Sequence, residues 1–117
     1  MPGLRDVVQH LVQRDGVDAV LVVSADGLTI DHATRSGVDA EAIAAMLPAL
    51  TQCAAQVGQV ASGGRLTNAV IEFGSRQLVL SALGDDVHLA ILTSPDVNIG
   101  TLLYDLRRHQ PAIAELI

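Results

Sequence analysis

The groups through which this chain could do chemistry are four histidines, one cysteine, seven cations and thirteen carboxylates. His10, His32, His88 and His109 show neither HxxxH nor HExxH spacing, and no cysteine or carboxylate pair completes a metal site around them. Cys53 lies inside an apolar stretch and lacks a catalytic signature, so it reads as a packed small side chain. Asp85-Asp86 reads as a solvated turn, Gly63-Gly64 belongs to no nucleotide-binding fingerprint, and there is no GxSxG elbow. All seven cations are arginine. Without lysine, Schiff-base chemistry and a GxxxxGK phosphate loop are both excluded. The chain is therefore expected to be no enzyme and to need no metal or cofactor. A net charge of -6 and only two aromatics, Phe73 and Tyr104, argue against nucleic acid as a partner.

With no reactive constellation to position, the sequence is organised instead around a stretch without charge, residues 42–64. Asp39 and Glu41 precede it and Arg65 follows. At helical spacing, Ile43, Met46, Leu47, Leu50, Ala54 and Val57 form one face, with Ala45, Ala49, Gln52, Gln56 and Gln59 mostly opposite. A surface helix of a small domain normally carries charges on its outer side, so this one is expected to be covered twice, by a sheet and by a second chain. The plainer alternative is a core helix with a neutral Ala/Gln outer face. A membrane span is disfavoured by Pro48, Thr51, Gln52, Gln56, Gly58 and Gln59, and by the absence of a flanking Trp or Lys belt.

The 117 residues suffice for one domain, 1–117. Half are hydrophobic and 17% are charged, below the usual share of about 25%, as suits a subunit that hides surface by association. One cysteine and an N-terminus (Met1, Pro2, Gly3, Leu4, Arg5) without a signal pattern predict a cytoplasmic location.

Leu4, Val7, Val8, Leu11 and Val12 predict an amphipathic helix ended by Gly16. Residues 19–23 predict a strand buried on both faces, Asp26-Gly27 a hairpin turn, and 28–33 a return strand at a sheet edge. Residues 34–37 read as a loop. Asp39 is the expected N-cap of the long helix, which Pro48 should bend near Ala44 and residues 62–64 should end. Strands follow at 66–73, 76–83 and 87–93, the last two interior and the first an edge with Thr67, Ala69, Ile71 and Phe73 on one side. A final helix starts near Asn98 with Ile99, Leu102, Leu103 and Leu106 inward. Arg107, Arg108 and His109 should lie at its C-terminal part before Pro111, complementing the helix dipole. The sum is an α+β fold: a five-stranded antiparallel sheet with helices on both faces, ordered α-β-β-α-β-β-β-α.

The first helix, Gly16-Val17, the apolar strand 19–23, Asp26-Gly27, the long helix, the hairpin strands and Asn98-Ile99-Gly100 together resemble a Roadblock/dynein light chain domain, closest to its bacterial MglB-like branch. The resemblance spans nearly the whole chain and rests on the order of elements more than on any residue. It implies a homodimer whose long helices lie antiparallel and whose third strands join into one sheet. It also implies docking on a small Ras-like GTPase. Carried over residue by residue, the dimer contacts would include Leu50, Cys53, Ala54 and Val57 on the helix and Thr67, Ala69 and Ile71 on the strand. Spacing alone leaves open which helix face meets the second copy. Arg65 and Arg76 flank the third strand and are candidates for partner contact, against a plainer role in local salt bridges. Three functions remain open at this level: a GTPase regulator, a nucleotide-independent scaffold, and a small-ligand sensor. The last requires an internal pocket, of which the sequence gives no sign.

Overall fold

The computed structural model describes residues 3–35 and 37–116. Met1 and Pro2, read above for a leader pattern, and Ser36, in the expected loop 34–37, lie outside them. The elements run α1 (Leu4–Val12), β1 (Val17–Ser24), β2 (Thr29–Thr34), α2 (Ala40–Val60), β3 (Asn68–Glu72), β4 (Gln77–Ala82), β5 (Val87–Thr93) and α3 (Ile99–Glu115). The five strands form one sheet in the order β2-β1-β5-β4-β3, and every neighbouring pair is antiparallel. The hairpin β1-β2 and the meander β3-β4-β5 meet where β5 pairs with β1, and α2 carries the chain from one edge to the other.

Two apolar layers sit on the two faces of this sheet. Val17, Val20, Val22, Val79, Leu89 and Ile91 point into one, where α1 contributes Val8 and Val12 and α3 contributes Leu102, Leu106 and Ile113. Ala19, Leu21, Val23, Leu78, Leu80, Ala90 and Leu92 point into the other, covered by Ala40, Ala44 and Leu47 of α2. Alternation along β1 thus serves two cores at once, which is why the strand reads as a continuous apolar run. On the second face two of the four buried residues of α2 are alanines. Small side chains let the helix axis approach the sheet, and Ile43 and Leu50 fill the space at its flank together with Ala69 and Ile71 of β3.

Two glycines hold the helices against the sheet. Gly16 has φ +83°, and a Cβ there would meet Val97 Cγ2 at 2.3 Å, so the turn before β1 closes against the loop after β5 only without a side chain. Gly27, at φ +86°, lies where a Cβ would come within 3.3 Å of Pro48 Cγ and 3.4 Å of the Ala44 carbonyl oxygen. The β1-β2 hairpin therefore reaches α2 at the point where Pro48 removes an amide donor.

The structure corrects several expected boundaries. β3 is shorter than 66–73 and leaves Thr67 outside it, although the Thr67 carbonyl still accepts from the Ala82 amide at 2.9 Å. Thr34 closes β2 instead of opening a loop. α2 runs through Pro48 as one helix, as expected, and its last helical residue is Val60, just ahead of residues 62–64. α3 does not stop before Pro111: it continues to Glu115, because Ile113 is buried among the first core and Gln110 donates its side-chain amide to the Ala82 carbonyl. Tertiary burial outweighs the hydrogen bond that proline forfeits. Arg107, Arg108 and His109 consequently fall ahead of the last turn, which holds no basic residue, and dipole complementation does not explain them.

Candidate interaction surface

The start of α2 is fixed as the sequence requires: the Asp39 carboxylate accepts from the Ala42 amide at 3.1 Å, and Glu41 occupies the first turn. From there the helix turns Ala40, Ala44, Leu47 and Thr51 to the sheet. Thr51 can be buried because its hydroxyl donates back to the Leu47 carbonyl at 3.0 Å.

The six residues expected to share one apolar face do not stay together. Leu47 is buried and Ala54, seven positions on, is half-buried in line with it, whereas Met46 and Val57 are 72% and 63% exposed. The outer residues form a second stripe instead: Ile43, Met46, Leu50, Cys53, Val57 and Val60, at alternating spacings of three and four. This is the a/d pattern of a helix that packs along another helix. Val60 is 89% exposed and Cys53 is also exposed. Cys53, Gln56, Val57, Val60 and Ala61 line a shallow groove of about 330 Å³.

Of the seven dimer candidates, the structure places Leu50, Cys53 and Val57 within the stripe, and leaves Leu50, Ala69 and Ile71 half-buried against the same core layer. Ala54 faces the sheet side, and Thr67 is exposed ahead of β3. Met46 and Val60 belong with the stripe; their spacing to Cys53 is the signal that would have added Val60. β3 is an outer strand, bonded only to β4, so its other backbone edge is open.

Arg65 and Arg76 are each held by their own chain. Arg65 pairs with Asp85, and Arg76 Nε stands 3.8 Å from Asp18 Oδ2. Asp85 is thus part of a surface ion pair. Among the described residues no group of His, Cys, Asp or Glu gathers that could hold a metal ion, and no helix is long and apolar enough to cross a membrane.

On the other flank of α2, an open groove of about 500 Å³ that no sequence pattern announces is lined by Thr51, Gln52, Gln59, Arg65, Asp85 and His88 among others. His88 pairs in register with Val23 and Ala82 and is half-buried. That burial pushes its pKa below the ordinary value of 6.5. The unfolded chain therefore takes up this proton first, and the contribution of neutral His88 is complete above the ordinary value and lost as the pH falls toward the lowered one. Thermal melts across pH 5–8, bracketing the ordinary imidazole value of about 6.5, are expected to show an acid decline that His88→Gln reduces. An unchanged decline in the variant would assign it to other groups.

A sequence model of the Roadblock/LC7 domain matches residues 4–93. No curated protein matches. Among solved structures, a Roadblock/LC7 domain from Streptomyces avermitilis is 24% identical, with TM-score 0.84 over 96% of this chain and 95% of its own. A second from the same organism is 27% identical, with TM-score 0.70 and full coverage of both chains. MglB of Myxococcus xanthus is 14% identical, with TM-score 0.87 over 97% of this chain and 93% of its own.

Proposed function

Because the chain belongs to the Roadblock/LC7 domain family, we propose that it acts as a non-enzymatic regulatory subunit: it self-associates through α2 and the edge of β3, and the homodimer docks on a small Ras-like GTPase. The observation that carries the association is the 3-4 stripe from Ile43 to Val60, exposed at Met46, Cys53, Val57 and Val60, on the helix that covers the sheet whose outer strand β3 has an open edge. Aliphatic side chains spaced in this way recover little by facing water and much by facing a second helix. Leu50, Ala69 and Ile71 join stripe to strand, so helix and strand form one continuous contact surface.

The GTPase half of the proposal rests on the likeness to MglB. Hydrolysis of GTP needs a placed water and positive charge against the phosphates. Arg65 and Arg76, the arginines flanking β3, pair with Asp85 and Asp18 of their own chain. Immobilised protein, offered Ras-like GTPases of the same genome loaded with GDP or a GTP analogue, is expected to retain the GTP-analogue form of one of them, and a hydrolysis assay then reads the direction of regulation. Equal retention of both nucleotide states would make the protein a scaffold. Retention of none would remove the GTPase from the proposal.

A further inference from the structure

Seven cations face thirteen carboxylates in this chain, and the fold ties five of the cations down. Arg5 pairs with Asp31 at 2.8 Å, Arg14 with Asp105 at 2.6 Å, Arg76 with Asp18 at 3.8 Å, and Arg65 with Asp85. Arg35 donates to the Val12 carbonyl at 3.2 Å. Among the described residues, Arg107 and Arg108 alone have neither kind of partner.

These two are adjacent and exposed on α3. Helical spacing sets them on either side of Tyr104, on the face turned away from the buried Leu102 and Leu106. Tyr104 is 62% exposed, and the Arg108 guanidinium carbon stands 5.8 Å from its ring centroid. His109 is exposed beside them. The dipole does not account for the cluster, because it precedes the last turn. Solubility does not either, since an excess of six negative charges already supplies it.

We propose that the Tyr104, Arg107 and Arg108 face of α3 is a docking site for an acidic segment of a partner protein. Two neighbouring guanidinium forks match carboxylates in shape and charge, and the tyrosine ring offers a rigid apolar anchor between them. Tyrosine and arginine are also the types that dominate interface energies. The rest of the chain sets five arginines against thirteen carboxylates, a balance that disfavours such a segment elsewhere. The family match ends at residue 93, before α3 begins. The face lies across the sheet from α2, so it stays free whether or not α2 is covered.

Tyr104 is the sole tyrosine and there is no tryptophan, so intrinsic emission reports from this face alone. The full chain, titrated with a synthetic peptide repeating Glu-Glu-Leu, is expected to bind saturably by anisotropy of a labelled copy and to change its tyrosine emission with the unlabelled one. The double variant Arg107→Gln/Arg108→Gln should bind about tenfold more weakly or worse while keeping its melting temperature, because both side chains are exposed. Equal affinity in that variant, or no saturable binding by the native chain, would overturn the proposal. So would tighter binding to phosphatidylserine vesicles than to the peptide, which would make the face a lipid headgroup site.

Discussion

Val57→Asp is expected to yield a folded chain that sediments as a monomer at micromolar concentration, where the native protein is expected to sediment as a dimer. The substituted position is 63% exposed and lies within the outer stripe of α2, so the isolated fold gives up little by the change. In a two-fold pair the carboxylate enters the interface twice, since each copy presents the same patch. An unpaired charge taken from water costs roughly 3–5 kcal/mol. Two such charges together correspond to on the order of ten-thousandfold or more in the dissociation constant, and mutual repulsion adds to this if the two carboxylates face each other. Leu50→Asp and Ile71→Asp would separate the chains too, but both residues also pack against the core, and a loss of association there could be a loss of folding. Val57→Asp keeps those effects apart. An unchanged sedimentation coefficient in the folded variant would mean that the stripe is not the contact, and would take the dimer half of the proposed function with it.

The order of elements was legible because each carries its own local signal. Asp39 and Asn98 cap helices with their carboxylate and amide oxygens, Gly16 and Gly27 stand at positive φ, and β1 is apolar on both faces because it serves two cores. The edge positions of β2 and β3 were legible from their mixed polarity. The face of α2 was only half legible. One apolar set was visible in residues 42–64, yet the helix has two overlapping ones: a sheet-facing set closed by Thr51, and an outer set repeating every seven residues. A threonine that satisfies its hydroxyl on its own helix behaves as a core residue, and no periodicity count anticipates that.

What escaped the sequence altogether are features made by distant residues. Gln77, polar and in an interior strand, is only 5% exposed because its amide donates to the Ser94, Pro95 and Val97 carbonyls at 3.1–3.3 Å, tying β4 to the turn ahead of α3. The groove beside His88 exists because residues from α2, the loop before β3 and the β4-β5 turn converge there. Pro111 pointed to a helix end, and burial of Ile113 overrode it. That override moves the basic cluster off the helix terminus and leaves Arg107 and Arg108 in need of another explanation.

Truncating the two cores separately distinguishes stability from association. Leu21 and Ile91 are both fully buried in the central strands, Leu21 beneath α2 and Ile91 beneath α1 and α3. Replacing either by alanine removes contacts and leaves a cavity that the sheet cannot close, at a cost of roughly 2–5 kcal/mol. For a chain of this length that lowers the melting temperature by roughly 10–25 °C. The consequences for the second copy differ. α2 rests on the sheet through Ala40, Ala44 and Leu47, so a void at Leu21 lets the helix settle and carries the stripe out of register with β3. Ile91→Ala leaves that platform intact. Leu21→Ala is therefore expected to weaken dimerisation about tenfold beyond its loss of stability, and Ile91→Ala to leave it nearly unchanged, both read by sedimentation well below the melting temperature. Equal dimer affinities in the two variants would show that α2 keeps its position over a void, and that the stripe is aligned by contacts with the partner instead of by the sheet below it.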